Sequence, residues 1–192
     1  MPKLLLMAPT LITEAPMTIA MLSAVAKEEG WQTASVINTF KNPLSIEDFV
    51  NKAKEFQPDI IGISILTFEI LFIYQIIQAL KRERFVVMVG GAHPTDCPEE
   101  CLEAGADIVI LGEGENALRK VLRNPSFRGI VPREMPIDLS TLPMPDLEVF
   151  NREMFLGEDG FIKGFHRIYT SRGCPGKCTF CDWQVFAQNL RT

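Results

Sequence analysis

The chain has 192 residues, 47% of them hydrophobic and 22% charged, which allows one well-buried domain with an appendage but not two large domains. A formal charge of −5 and no cluster of lysine and arginine argue against a nucleic-acid surface, and no apolar run reaches the ~18 residues needed to cross a bilayer. Met1-Pro-Lys3 runs straight into a strand-like segment with no signal peptide before it, so the expected compartment is the cytoplasm, where thiols stay reduced.

Lys3 to Ala8 is a short continuous apolar run ending in Pro9, the pattern of a strand buried on both faces. From about Met17 to Glu29, Ile19, Leu22, Val25 and Ala26 fall on one helical face that stops at Gly30. Trp31 to Ile37 reads as a second strand. Ser45 to Phe56 reads as a helix, with Ser45 as its N-cap, Asp48 at the third position and Ile46, Phe49, Val50 and Ala53 along one stripe. Asp59 to Ile65 is a third strand, rich in β-branched residues. Phe68 to Glu83 is helical, with Ile70, Ile73, Ile76, Ile77 and Leu80 as its apolar face. Phe85 to Val89 is a fourth strand that breaks at Gly90-Gly91. A short helix around Pro98 to Ala104 leads to a fifth strand, Asp107 to Leu111, then Gly112-Glu-Gly-Glu115 and a helix to about Leu122. Arg128 to Val131 reads as a last edge strand.

Alternation of this kind means βαβ units, so the expected architecture is α/β, a doubly wound parallel sheet of flavodoxin-like or Rossmann-like type over residues 1–131. Pro132, Pro136, Pro143 and Pro145 mark an extended connector over 132–165. In open parallel sheets ligands sit beyond the carboxyl ends of the strands. Those ends are Ala8-Pro-Thr10, Ser64 with Leu66-Thr67, Gly90-Gly-Ala-His93 and Gly112-Glu-Gly-Glu115. They are small, polar or glycine, as close approach of a ligand to backbone requires, although turn chemistry selects the same residues. No G-x-G-x-x-G follows the first strand, so a dinucleotide is poorly supported.

Near the end of the chain, Cys174, Cys178 and Cys181 form a C-x3-C-x2-C run. Three thiolates so placed can hold three irons of a 4Fe–4S cluster and leave the fourth open. A zinc site is the alternative, with His166 eight positions before Cys174 as a candidate fourth ligand. Disulfides fit poorly with five cysteines and a reducing compartment. Cys97 and Cys101, four apart, read as buried inert thiols.

The segment Tyr169 to Asp182, with Arg172-Gly173 before the first cysteine and Phe180 before the last, resembles the signature of radical S-adenosylmethionine (SAM) enzymes. Taken in order with Pro58 to Ser64, Val89 to Pro94, Asp107 to Glu115 and Leu142-Pro-Met-Pro-Asp146, it closely resembles the cobalamin-binding radical SAM family over essentially the whole chain. The resemblance implies cobalamin on the carboxyl edge of the sheet, near Thr10 and lined by Ser64, Thr67, Gly90, Gly91, His93, Gly112 and Glu113. It implies a cluster on Cys174, Cys178 and Cys181 whose open iron chelates SAM. An external electron donor and a small-molecule substrate are the further partners implied.

One departure matters. Cobalamin domains of the methionine synthase and mutase kind carry an Asp-x-His-x-x-Gly loop after the first strand, and Pro9 to Pro16 here contains no histidine. If cobalamin binds, no protein histidine is expected beneath cobalt. His93 is expected to hydrogen-bond near the site rather than ligate a metal. The tail Cys181 to Phe186 is faintly similar to the anaerobic magnesium-protoporphyrin ester cyclase branch, although two aromatics assign no branch. Residues 166–192 are expected to begin a radical SAM barrel, and with eleven residues after Cys181 the chain is expected to be the N-terminal piece of a larger enzyme. The competing expectation is a stand-alone corrinoid- or nucleotide-binding module with a vestigial or zinc-binding cysteine tail.

Overall fold

The computed structural model describes residues 1–12, 15–151, 171–176, 178–181 and 190–191. Six strands, β1 (Lys3–Ile12), β2 (Gln32–Thr39), β3 (Ile60–Ser64), β4 (Val87–Gly90), β5 (Ile108–Ile110) and β6 (Gly129–Val131), form one parallel sheet in the order 2-1-3-4-5-6. The helices are α1 (Met17–Glu28), α2 (Ile46–Phe56), α3 (Ile70–Arg82), α4 (Ala92–Asp96), α5 (Pro98–Glu103) and α6 (Gly114–Arg123). This is the flavodoxin-like winding with one strand added. Strand order reverses between β1 and β3, the position at which open α/β sheets have a crevice beyond the carboxyl ends of their strands.

Alternation along β1 divides the core. Leu4, Leu6 and Ala8 pack against Ile19, Ala20 and Val25 of α1 and Leu118 and Val121 of α6. Leu5 and Met7 face the other way, toward Phe49 of α2 and Ile73, Ile76, Ile77 and Leu80 of α3. Each such aliphatic side chain, fully removed from water, contributes about 1.5–3 kcal/mol. Two covered faces explain why the strands read as unbroken apolar runs. The start of α2 is fixed by a capping box, in which Asp48 N–H donates to Ser45 Oγ and Asp48 in turn accepts from Ser45 N–H. The helix ends at Gln57 in the left-handed region, φ 54°.

The structure differs from the sequence reading in three places. The segment after Gly90-Gly91 is not a loop: Ala92 to Asp96 forms α4, and Pro94 is accommodated in its first turn, where no N–H is needed. The helix expected from Phe68 begins as a 3₁₀ turn, Thr67–Glu69, before α3. The proline-rich connector carries two 3₁₀ turns, Leu139–Thr141 and Leu147–Val149, and its described part packs back on the sheet domain. Asp146 accepts from Ser23 Oγ at 2.5 Å and pairs with Lys27 Nζ at 2.8 Å. Ser35 Oγ donates to the Val149 carbonyl at 2.6 Å, and Phe150 is buried in the core beside α1. Burial pushes the Asp146 carboxyl upward, but the Lys27 and Ser23 contacts outweigh it and hold the group below its ordinary value.

Candidate functional site

At the switch point the loops after β1 and β3 part and leave a cleft of about 590 Å³ lined by Leu11, Asn38, Leu44, Phe68, Glu69 and Leu71, among others. Asn38 braces one wall: its Nδ2 donates to the Pro9 carbonyl at 2.7 Å and its Oδ1 accepts from Leu44 N–H at 2.8 Å. Phe68 and Leu71 are 73% and 76% exposed, an apolar pair at the rim of a polar edge. Among the described residues three buried side-chain polar atoms have no hydrogen-bond partner: Thr10 Oγ1, Glu69 Oε2 and Arg191 Nε. A buried polar atom left unpaired costs about 1–3 kcal/mol, so Thr10 Oγ1 at the end of β1 and Glu69 Oε2 after β3 are places where a ligand donor or hydroxyl would be taken up.

The next strand end is held by backbone proximity. Ser64 is half-buried and pairs in register with Gly90. Gly91 has φ 113° and ψ −164°, a region open essentially to glycine, and a Cβ there would stand 2.8 Å from the Ile65 carbonyl oxygen. Thr95 Oγ1 donates to the Gly91 carbonyl at 2.8 Å and accepts from Gly112 N–H at 2.9 Å, tying the loop after β4 to the loop after β5. His93 is 4% exposed. Its Nε2 lies 3.0 Å from Tyr74 Oη and its Nδ1 3.3 Å from Thr67 Oγ1, so the ring is engaged inside the fold behind the Gly91 loop. Burial is the main cause that pushes the Tyr74 phenol upward. It also pushes the neighbouring Cys101 thiol up to about 11, which keeps that sulfur protonated and inert at neutral pH.

Beyond β5, Gly112 adopts φ 72°, and Glu113 and Glu115 turn toward the end of the chain. Arg172 donates to Glu115 Oε1 at 2.6 Å, with Glu115 4% exposed. Arg191 binds Glu113 through both terminal nitrogens and also donates to the Ile137 carbonyl at 2.8 Å. Arg172 and Arg191 exchange two backbone hydrogen bonds, so the two ends of the cysteine segment are clasped together where they meet the sheet domain. Cys174, Cys178 and Cys181 are exposed. A Cβ at Gly176 would lie 3.4 and 3.6 Å from the sulfurs of Cys174 and Cys178, so both thiols border one small space kept open by glycine.

Of the residues expected from sequence, Thr10, Ser64, Thr67, Gly90, Gly91 and Gly112 lie on the carboxyl edge or the loops leaving it. His93 and Glu113 are committed to contacts within the protein. His166 and the Trp183 and Phe186 pair lie outside the described residues. Thr95 and Arg191 carry no signal in the sequence; Glu115 stands there only within Gly112-Glu-Gly-Glu115 and Arg172 only as the Arg-Gly before Cys174, and neither pairing is foreseen. The donor set fits the groups that the resemblance implies: Thr10 Oγ1 and Glu69 Oε2 unpaired beside a cleft for an amide-bearing ring, and three solvent-facing thiols for a cluster.

Residues 5–122 match the model of the B12 binding domain. The chain belongs to the B12-binding domain family. Over 194 residues it is 28% identical to an uncharacterized methyltransferase of Pyrococcus horikoshii, covering 88% of this chain and 41% of that protein. It is 24% identical over 205 residues to the anaerobic magnesium-protoporphyrin IX monomethyl ester cyclase of Rubrivivax gelatinosus, covering 92% and 36%. Among solved structures, the radical SAM methyltransferase TsrM from Kitasatospora setae, with cobalamin and a 4Fe–4S cluster bound, superposes with a TM-score of 0.58 at 20% identity. That match covers 64% of this chain and 26% of TsrM, and it shows a shared fold. The chain therefore spans less than half the length of these relatives. Among the described residues no helix is long and apolar enough to cross a membrane.

Proposed function

We propose that the chain is the cofactor-carrying portion of a cobalamin-dependent radical SAM enzyme, acting in the cytoplasm on a small-molecule substrate with an external electron donor. The observation that carries this reading is the join between two sites. Arg172 and Arg191, at the two ends of the cysteine segment, rest on Glu115 and Glu113 directly after β5, where a corrinoid on the sheet edge would sit beside them. A part-buried, doubly paired contact of this kind fixes relative position, which reactions between two bound groups need.

In this reading Thr10, Ser64, Thr67, Gly90, Gly91 and Gly112 face cobalamin, and the exposed Phe68 and Leu71 offer it apolar surface. Glu69 Oε2 accepts from an amide of the ring's periphery. His93 and Glu113 hold the loops from behind rather than touch the ring. Cys174, Cys178 and Cys181 hold the cluster, with one iron left for the amino and carboxylate groups of SAM. When bound, these groups supply a carbon radical and a corrinoid for methyl transfer or ring closure. Anaerobic reconstitution with iron and sulfide tests the cluster half: about four irons per chain are expected, with loss in Cys178→Ala. Stoichiometric zinc in their place would sink it and favour the stand-alone binding module.

A further inference from the structure

In the cofactor reading His93 touches no ligand and Cys97 and Glu100 have no part, yet one ligand atom from each of the three lies within 4.8 Å of the others. We propose that His93 Nε2, Cys97 Sγ and a Glu100 carboxylate oxygen bind a zinc ion behind the loop that carries Gly91. One imidazole nitrogen, one thiolate and one carboxylate are a zinc donor set, and three protein ligands leave the fourth tetrahedral position for water. The two anionic ligands balance the charge of the ion, and the thiol proton is released to solvent on binding.

Local structure brings the three together. Cys97 N–H donates to the His93 carbonyl at 2.9 Å, one helical turn on, so the two side chains leave α4 on the same side. Cys97 then stands at the junction of α4 and α5, and Pro98 starts the turn that carries Glu100. His93 Nε2 and Glu100 Oε2 are 3.9 Å apart, close to the ~3.5 Å between ligands of a tetrahedral zinc. The second shell is already built. Thr67 Oγ1 faces His93 Nδ1 at 3.3 Å and can accept its N–H when Nε2 ligates the metal. Tyr74 Oη, 3.0 Å from Nε2, borders the same space and can turn to the Cys101 sulfur, 4.0 Å away, when the metal takes the imidazole. The Glu100 side chain is 51% exposed and gives the ion its way in.

The test uses the full chain carrying Cys174→Ser, Cys178→Ser and Cys181→Ser, so that the tail cannot bind metal, titrated anaerobically with cobalt(II). Expected are a thiolate-to-cobalt charge-transfer band and the strong visible bands of four-coordinate cobalt, saturating at about one equivalent and displaced by zinc. Cys97→Ser removes the charge-transfer band. Glu100→Gln, at a half-exposed position, weakens binding at least about tenfold, and Thr67→Val weakens it about tenfold through the second shell. No band, or a band that persists in Cys97→Ser and falls with Cys101→Ser, would overturn the assignment. Neither outcome bears on cobalamin binding, which is measured separately.

Discussion

Replacing Gly91 with alanine probes the close approach on which the sheet edge depends. The backbone there, φ 113° and ψ −164°, is strained for any residue with a Cβ, and the new methyl would stand 2.8 Å from the Ile65 carbonyl oxygen and 3.2 Å from its nitrogen. The obstacle is backbone at the end of β3, which cannot rotate away as a side chain can. Combining the cost of a glycine-only conformation with that of an overpacked contact gives about 3 kcal/mol. For a chain of this size that lowers Tm by about 6–12 °C. Gly90→Ala is the control, because its Cβ would meet Ile110 at an ordinary 3.7 Å and its φ is not positive. Thermal unfolding by circular dichroism, with and without cobalamin, reads both. Gly90→Ala within about 1 kcal/mol of the parent and Gly91→Ala far below it are expected. Equal effects at the two glycines would refute the reasoning.

Arg172→Ala leaves the Glu115 carboxylate buried without its partner and is expected to cost about 3 kcal/mol by denaturant unfolding, whereas Arg172→Ala with Glu115→Ala recovers part of that; a double variant no more stable than the single one would contradict a direct pair. The Asp146 carboxyl is held below its ordinary value, so its stabilisation is fully present above the unfolded-state value of about 3.9 and is lost as pH falls through the lower folded value. The Tm gap between the parent and Asp146→Asn should therefore hold steady above about pH 5 and shrink in acid, and a gap that widens in acid would show the contacts misread. With protein labelled with nitrogen-15 histidine, the Co(II) cobalamin EPR spectrum should carry no coupling from the label, since Pro9 to Pro16 lacks histidine and the His93 ring is engaged with Tyr74 and Thr67.

The sheet was legible because its signal is local. Runs such as Ile60 to Ile65 and Val87 to Val89 are apolar on both faces, and the glycines and hydroxyls that follow each run mark where the edge must open. Strand order was inferred by class, and the structure resolves it to the flavodoxin-like winding. Helix α4 was missed because Gly-Gly-Ala-His-Pro carries two glycines and a proline, which spell turn to any reading by propensity; the five-residue helix starts where Gly91 folds against Ile65. The contacts that join the two candidate sites were illegible for another reason. Glu115 and Arg172 are 57 positions apart, and Glu113 and Arg191 are 78 apart. Their pairing depends on where the fold puts them, and nothing in either short segment announces it. The same holds for Thr95, an ordinary residue in sequence whose hydroxyl ties two loops together.

The most direct test is to mix the purified chain with hydroxocobalamin, pass it through gel filtration and record the visible spectrum of the protein peak. The account predicts that corrinoid elutes with the protein at about one equivalent per chain, as a site on the sheet's carboxyl edge requires. Protein that emerges colourless, with all the cobalamin in the small-molecule fraction, would contradict it.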